Sequence, residues 1–598
     1  MLKNVIHRAL KLSSTQRFTR RPICSSFTHF CSNNEIIKKD DFTLEIQQAR
    51  NSVEILNQLG SQPLNTRQTI ACLWGIFEHQ KGKKSASNHE ILEHPHFEQL
   101  CRSLRKEIQH LTINETVFAV EALSHVGVAS DSRIMTSLLS MIRHEVNDLP
   151  LAKLIKLHLL LKKMKKTPLI EALDIALPLV FENQLPLKIA RDDQQELNYC
   201  LMYITMYRVS EQTKNIILTA LTLLGNSLEP YYAMKVLCNC VKLGPANEIQ
   251  EKLVSNCFEV INENLHQETS RHISKIVQYI WRGMKKGEKE IYCNLEFLVK
   301  SSKLAVQNKW SIDEIFSLLH YLHRLHFVDV ELLNYFAEQL SEDPQQLRTA
   351  RVGYVLTFVE AFGLANYKPP KWEILKPHLM ENPIFNLRST NISWLKLILN
   401  SLILDIWRPS LVERVFQAEF LDKYLNENYL YEHRLLLILY QVVNTIKKDT
   451  FGKNVPKIDP KYLEKAIDSV QVESTLEPIL TMLYGEKKVI FNVKTRLGHK
   501  IDHVVILNEN HEELNFDENS TVEDLQEKGF KLLAVVKPFI GKFSFNVNRL
   551  KGIYDLEYQT LDTILPVVIV SHETYESLLD KEKIPYIERL INEKLSEI

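Results

Sequence analysis

The chain has 598 residues, of which 45% are hydrophobic and 24% charged, so it is long enough for several packed cores and too apolar to be disordered as a whole. Only 16 residues are glycine, and neither a G-x-x-x-x-G-K-S/T nor a G-x-G-x-x-G string occurs, which disfavours an ordinary nucleotide-dependent kinase or dehydrogenase. The 73 basic residues equal the 73 acidic ones, so the chain would not bind nucleic acid through bulk charge.

Residues 1–34 have the composition of a mitochondrial transit peptide, with six basic side chains, no acidic one, and Leu2, Ile6 and Leu10 at helical spacing. We therefore predict a mitochondrial matrix location, with a disordered basic tail as the alternative. No apolar run of membrane-spanning length follows, so neither secretion nor membrane insertion is expected. Without these six residues the chain has 67 basic residues against 73 acidic ones, and binding of nucleic acid would need a local basic stripe.

Residues 35–385 show apolar side chains at three- and four-residue spacing between short polar breaks, which predicts helix after helix. Segments 37 residues apart resemble one another, since 318–325 matches 355–362 and 117–123 matches 154–160. A repeat of this length is typical of stacked helical hairpins, so we expect an α-solenoid, with a set of irregular bundles as the alternative. Residues 386–484 are predicted to stay helical without the repeat.

In residues 485–598 the pattern changes to that of strands. Four apolar runs predict buried strands, at 488–494, 503–507, 531–536 and 567–570. Residues 550–564 are predicted to form a crossover helix before the last strand. We therefore expect a mostly α protein that ends in a small α/β domain.

Residues 354–370, which end in FGLANYKPP, and several further stretches in the second half of the chain resemble the FAST kinase domain-containing family of mitochondrial RNA-binding proteins. A first FAST-like region lies near 327–370, and a second, within 386–484, includes 435–443 and 462–470. Residues 495–502, with the sequence TRLGHKID, resemble the family's His-x-Ile-Asp strand. Residues 485–598 resemble a RAP domain, through Leu550-Lys551-Gly552, Leu556-Glu557, the run 567–571 and Glu573.

This resemblance implies a protein that binds particular mitochondrial transcripts, mRNA or precursors, and regulates their stability, processing or translation. It implies RNA-processing or ribosome-assembly proteins as further partners. The kinase of the family's name has no counterpart in this chain, because no catalytic H-R-D or D-F-G string is present. No cofactor is expected.

RAP domains resemble the PD-(D/E)xK nuclease fold, in which an Asp on one strand and an acid-x-Lys on the next hold a divalent metal. By this resemblance Asp502 matches the first acid and Lys537 the lysine, but the second acid falls at Val535. A site that lacks its central carboxylate binds a hard cation poorly. We therefore expect a non-catalytic protein in which Asp502 is a strand-end residue or a relic of the site. A metal-dependent endoribonuclease is the first alternative function.

Basic residues at the ends of predicted repeat helices are the candidates for binding RNA. They are Lys162, Lys163, Lys165, Lys166, Arg282, Lys285, Lys286 and Arg324. If the repeats stack in parallel, these side chains line one edge and contact phosphates, while aromatic neighbours such as Trp281 stack on unpaired bases. The alternative is that they are ordinary solvated helix ends.

His320, His323 and His326 recur at three-residue spacing on one predicted helix. A metal would need a further ligand from another helix, and no such ligand is evident. The cysteines also lack the spacing of a zinc site, so reduced thiols and no metal are expected. The second alternative function is a helical scaffold for mitochondrial protein assembly, since solenoids also bind the helices of partner proteins.

Overall fold

The computed structural model describes residues 41–59, 64–81, 88–287, 289–388, 391–426, 430–451, 455–470, 475–508 and 520–597. The predicted transit peptide at 1–34 lies outside these residues. The chain divides into two units, 1–224 and 225–598, which are described separately. Within the described residues, no helix combines the length and the apolar character needed to cross a membrane.

The first unit is built from helices only, as far as it is described. They are α1 (Asp41–Gln48), α2 (Ser52–Asn57), α3 (Thr66–Gln80), α4 (His89–Leu92), α5 (Pro95–Lys106), α6 (Ile113–Val126), α7 (Arg133–Glu145), α8 (Leu151–Leu161), α9 (Pro168–Lys188), α10 (Gln194–Ile204) and α11 (Glu211–Leu224). Helices α3, α6, α8 and α10 pack side by side in one layer, and α5, α7, α9 and α11 pack in the other. This is the stacked-hairpin arrangement that the repeat predicts.

Local sequence signals set the ends of these helices. Helix α6 begins after Thr112, whose hydroxyl accepts the Glu115 N–H while the Glu115 carboxylate accepts the Thr112 N–H at 2.8 Å. Such a reciprocal pair satisfies backbone donors that lack partners at a helix start. The helix ends at Gly127, whose φ of +101° places it in the left-handed region that favours glycine.

The second unit continues with helices and closes with a sheet. Its helices up to the sheet are α12 (Pro230–Cys240), α13 (Glu248–Asn264), α14 (Ser270–Lys285), α15 (Lys289–Tyr292), α16 (Leu295–Gln307), α17 (Ile312–Leu322), α18 (Val330–Glu342), α19 (Gln345–Thr349), α20 (Val352–Ala365), α21 (Trp372–Met380), α22 (Trp394–Ile403), α23 (Pro409–Val415), α24 (Ala418–Asn426), α25 (Leu430–Asn444), α26 (Lys448–Phe451), α27 (Lys461–Ser469) and α28 (Glu477–Tyr484).

One layer of the second unit has a regular spacing. Helices α12, α14, α17, α20, α22 and α25 begin at residues 230, 270, 312, 352, 394 and 430 and pack in that order. We call these six helices the inner row; α13, α16, α18 and α21 pack against one another in the opposite layer. The row continues past residue 386 into α22 and α25, although the sequence no longer shows the repeat there. The domain boundaries at 385 and 484 stay predictions.

The C-terminal domain (489–597) is a four-stranded sheet flanked by helices. Its elements are β1 (Val489–Lys494), β2 (Lys500–Ile506), α29 (Val522–Glu527), β3 (Leu532–Val536), α30 (Gly552–Asp562), β4 (Val567–Ile569), α31 (His572–Ser577) and α32 (Asp580–Ser596). The strand order is β1-β2-β3-β4, with the first two pairs antiparallel and β3 parallel to β4. The predicted small α/β unit and its crossover helix are thereby confirmed.

Both faces of this sheet are buried, which explains why its strands are continuous apolar runs. One face packs Val504, Ala534 and Val536 against α29 and α30, and the other packs Val505 and Val535 against α28 and α32. Helix α30 also lies against α20, α22 and α25 of the inner row. The crossover helix therefore joins the sheet to the helical array within the second unit.

Candidate nucleic-acid interface

Trp281, near the end of α14, lies between two cationic side chains. The guanidinium of Arg324 is 5.2 Å from its ring centroid and the ammonium of Lys285 is 5.6 Å away. Tyr321 of α17 has its ring 6.1 Å from the same ring. Both cations are solvent-exposed, so the cluster presents positive charge and aromatic surface together.

A related combination recurs on the side of α14 that faces α12, where the Tyr279 ring is buried, and at the start of α12. Tyr279 has the Arg282 guanidinium at 5.1 Å and the Lys242 ammonium at 5.7 Å from its ring. At the start of α12, the Lys235 ammonium lies 3.9 Å from the Tyr231 ring. We call the cation–aromatic clusters of α12, α14 and α17 the basic–aromatic face. Sequence analysis found Arg282, Lys285 and Arg324 but missed Lys235, Lys242 and the tyrosines.

A groove of about 420 Å³ lies along α14, α17 and α20 beside these clusters. Lys275 and Gln278 line one side, and Phe316 and Tyr321 line the other. Phe316 stacks on Tyr354 with centroids 4.4 Å apart and planes 12° apart. A groove with aromatic walls and a cation suits unpaired bases and their phosphates.

His320, at the floor of this groove, is neutral near pH 7. Burial lowers the pKa of its imidazole to about 4, and the positive charge of Arg324 acts in the same direction. Its Nδ1 lies 2.9 Å from the Thr357 hydroxyl. The positive charge of the groove lining therefore comes from Lys275, with Arg324 close to His320, and not from the histidine.

The three histidines of the predicted row diverge in the structure. His323 is buried, with its Nε2 3.1 Å from Glu360, while His326 ends the helix in the left-handed region with a φ of +58°. No group of three or more His, Cys, Asp or Glu side chains in the described ranges is arranged to hold a metal ion. The seven cysteines of these ranges are free thiols.

Lys286, another predicted RNA-binding residue, contacts the end of a neighbouring helix. Its ammonium donates to the carbonyl oxygens of Val241 and Leu243, the latter at 3.3 Å, just after α12. A cation at this position satisfies carbonyls that have no partner within their helix. This contact gives Lys286 a structural role whether or not it also binds RNA.

The lysine cluster of the first unit is held by acidic neighbours. Lys162 and Lys166 contact the same Asp174 oxygen at 2.9 and 3.0 Å, and Lys165 lies 3.9 Å from Asp131. Burial alone would raise the pKa of Asp174, but the hydrogen bonds from Lys162 and Lys166 lower it to about 2, so it stays ionised. All four lysines, Lys163 included, are exposed. Their role in RNA binding stays a prediction.

In the C-terminal domain the structure brings Asp502 and Lys537 together. The Asp502 carboxylate accepts the backbone N–H of Lys537 at 3.2 Å. The Lys537 ammonium turns instead to Glu576 at 2.8 Å, and Val535 is fully buried among apolar side chains. The carboxylate that partners the lysine belongs to Glu576, which lies outside every motif of the sequence.

A buried ionic cluster lies on α30, next to the array. Glu557 contacts Arg434 of α25 at 3.1 Å and Lys542 at 3.5 Å. Burial alone would raise the pKa of Glu557, but the charges of Lys542 and Arg434 lower it to about 2. In the sequence Leu556-Glu557 is only part of a motif, because the cationic partners of Glu557 come from distant positions in the chain.

The C-terminal domain docks on the first FAST-like region. Asn546 accepts the Val328 N–H at 2.8 Å and donates to the Val328 carbonyl at 2.6 Å. Asn366, left-handed at the end of α20 with a φ of +46°, donates to Asp555 at 2.7 Å. Both array residues of these contacts, Val328 and Asn366, lie within 327–370.

A cavity of about 220 Å³, the junction pocket, lies at this contact. Its lining includes His326, Glu360, Lys396, Tyr431, Phe539, Lys551 and Tyr554. Lys396 donates to Glu360 at 2.6 Å, and the Lys551 ammonium lies 2.9 Å from His326 Nδ1. His323 also lines the pocket, and the next residue in the chain is Arg324 of the basic–aromatic face.

No family model matches the chain. The chain is similar to FAST kinase domain-containing protein 2, mitochondrial, of Pongo abelii, with 19% identity over 335 residues. The alignment covers 55% of this chain and 47% of the relative, so the chain spans about half of the relative's length. The relative carries the family name that the sequence motifs indicate.

Proposed function

We propose that this chain is a mitochondrial RNA-binding protein that binds single-stranded RNA along the basic–aromatic face. The observation that carries the proposal is Trp281, which has the cations of Lys285 and Arg324 within 6 Å of its ring centroid and a groove beside it. Cations supply affinity for phosphates, and the faces of partly exposed aromatic rings supply stacking for unpaired bases. The similarity to a protein whose name places it in mitochondria supports the location.

Within this proposal the protein acts in the matrix on mitochondrial transcripts, mRNA or precursors, and regulates their stability, processing or translation. The resemblance of residues 327–370 and 485–598 to the FAST-like and RAP segments supports this class of role. RNA-processing or ribosome-assembly proteins are the further partners that the proposal includes.

The C-terminal domain is proposed to be a RAP-type recognition module with a nuclease-like fold and no catalytic activity. Asp502 and Lys537 lie side by side as in a nuclease, which supports the fold. The neighbouring position holds Val535, and Glu576 is bound to the lysine ammonium, so a metal would lack its central carboxylate. We expect RNA to stay intact in the presence of Mg²⁺, and Asp502→Ala to leave RNA binding unchanged.

Fluorescence anisotropy with labelled single-stranded RNA tests the interface. The double variant Lys285→Glu with Arg324→Glu should weaken binding by at least about tenfold, because two phosphate contacts become repulsive. Its affinity should also depend less on salt. The slope of log affinity against log salt concentration should become shallower by about 1.4, the value for two lost phosphate contacts to a single strand.

The double variant Lys300→Glu with Lys303→Glu is the matched control, because both lysines are exposed on α16, outside the inner row, and the charge change is the same. It should bind RNA as the unmodified protein does. Equal losses in the control and in the first double variant would show that net charge alone governs binding, against the proposed face. No affinity for RNA at moderate salt would overturn the function and favour a scaffold.

A further inference from the structure

The junction pocket combines positive charge with aromatic walls in the second unit. Lys396 and Lys551 carry two ammonium groups into its lining, against the single carboxylate of Glu360. Burial alone would raise the pKa of Glu360, but the hydrogen bond from His323 and the charge of Lys396 lower it to about 2. Glu360 is thus engaged by Lys396 and His323, and the lining holds two ammonium groups against one carboxylate.

The aromatic walls come from both sides of the contact. Tyr431 belongs to α25 of the array and Tyr554 to α30 of the C-terminal domain. Phe539 stands at the rim with 48% of its surface exposed. Behind Tyr554 the cations of Arg434 and Lys542 lie 5.8 and 5.4 Å from its ring centroid, which adds to the positive potential.

The pocket is small, and two of the helices that line it, α20 and α30, meet in close backbone contact. Its volume of about 220 Å³ is below the roughly 300–1,000 Å³ of pockets for drug-sized ligands. A Cβ on Gly552, next to Lys551, would lie 2.1 Å from the Gly363 carbonyl oxygen, so α30 meets α20 at backbone contact distance. The walls are thus fixed, and there is room for one end of a nucleotide chain but not for several nucleotides.

We infer that the junction pocket binds a nucleotide that carries a terminal phosphomonoester, and this inference rests on the proposed function. The phosphate faces Lys551 and Lys396, and the base packs against Phe539 and the tyrosines. A terminal phosphate carries close to two negative charges at pH 7, against one for each internal phosphodiester, so the two ammonium groups favour a chain end. The lining residue His323 directly precedes Arg324 in the chain, so the end of a strand on the basic–aromatic face is the part of the RNA that this pocket is inferred to bind.

The full chain is tested with four probes: a 12-nucleotide single-stranded RNA with a 5′-phosphate, the same RNA with a 3′-phosphate, the same RNA with hydroxyls at both ends, and a free nucleoside monophosphate. Either the 5′-phosphorylated or the 3′-phosphorylated RNA should bind about tenfold more tightly than the RNA with hydroxyls at both ends. A gain of this size is what one charge-assisted hydrogen bond contributes. Binding of the free nucleotide as tightly as the phosphorylated RNA would assign the pocket to mononucleotides.

The variants Lys396→Gln and Phe539→Ala should abolish the preference for the phosphorylated end and leave binding of the hydroxyl-ended RNA unchanged. Both side chains are partly exposed, so the fold should tolerate the changes. Ile540→Ala is the control, because Ile540 is 63% exposed beside Phe539 but does not line the pocket.

Equal affinity for phosphate and hydroxyl ends, with RNA binding intact, would overturn the pocket's assignment and keep the proposed function. Loss of all RNA binding with retained binding of the nucleoside monophosphate would overturn the proposed function and keep the pocket's nucleotide chemistry. Failure of all four probes would overturn both.

Discussion

Lys551 and Gly552 are adjacent in the chain and have different physical roles. Lys551 brings its ammonium into the junction pocket, where it donates to the Gly541 carbonyl at 2.6 Å. Position 552 must be glycine for steric reasons, because a Cβ there would lie 2.1 Å from the Gly363 carbonyl oxygen. The sequence motif Leu550-Lys551-Gly552 thus combines a charged contact with a backbone contact that no larger residue permits.

Gly552→Ala is expected to destabilise the protein by about 1–3 kcal/mol, since the added methyl forces α30 away from α20. Gly353→Ala is the control, because Gly353 lies on the same helix α20 and a Cβ there meets nothing within 4 Å. The control should be neutral or more stable by up to about 1 kcal/mol. Urea unfolding followed by tryptophan fluorescence compares the two, and equal stability would contradict the close approach.

At the scale of elements, two helix ends determine where the C-terminal domain docks. His326 and Asn366 have left-handed backbone conformations, and the carbonyl oxygen of each accepts a hydrogen bond from the domain. The His326 carbonyl accepts the Phe545 N–H at 2.8 Å, and the Asn366 carbonyl accepts from Arg549 at 3.0 Å. Helix ends supply the carbonyls for this contact because the last turn of a helix leaves them without internal partners.

Asn546→Leu removes both hydrogen bonds to Val328 while it keeps the side-chain volume. Docking should weaken by about 1–3 kcal/mol, since the Val328 N–H and carbonyl lose their partner. Hydrogen exchange should therefore quicken in peptides around 326–330. Asn548→Leu is the control, because Asn548 bonds to Ser571 within the same domain. Unchanged exchange in Asn546→Leu would show that the apolar contacts of α30 alone hold the domain.

For the whole molecule, buried neutral histidines make stability depend on pH. His499, in the turn between β1 and β2, is 4% exposed, and its ring nitrogens lie 2.8 and 2.9 Å from the hydroxyls of Thr495 and Thr560. Burial lowers the pKa of His499 to about 4. The unfolded chain takes up a proton below about pH 6.5, so stability is full above that pH and falls as the pH drops towards 4.

The free energy of unfolding should fall between pH 7 and pH 5, by about 2 kcal/mol from His499 alone. Glu360 and Glu557, whose pKa values are lowered to about 2, lose their contribution only at lower pH, as it falls below about 4.5. His499→Gln should make the free energy of unfolding change less between pH 7 and pH 5. His266→Gln, at an exposed turn, should leave that change as it is in the unmodified protein. If the free energy of unfolding of His499→Gln falls as much between pH 7 and pH 5 as that of the unmodified protein, His499 is not the cause of the pH dependence.

The sequence alone determined the helices of both units, the four strands and the crossover helix, because each follows from local apolar periodicity and local end signals. It also identified Arg282, Lys285 and Arg324, whose cations lie beside aromatic rings in the structure. Some of their aromatic partners belong to other helices, as Trp281 does for Arg324. The apolar periodicity of one helix gives no information on pairs between helices.

Only the tertiary structure decided how the C-terminal domain meets the array and which charges are engaged. Val328 and Asn546 are 218 residues apart, and Lys551 and His326 are 225 apart, so no local signal links them. Likewise Lys162 and Lys166 meet Asp174 because α8 and α9 form a hairpin, and Glu576 meets Lys537 because α31 follows β4. Local periodicity fixes the elements, whereas shape and charge complementarity between distant surfaces fix the candidate site.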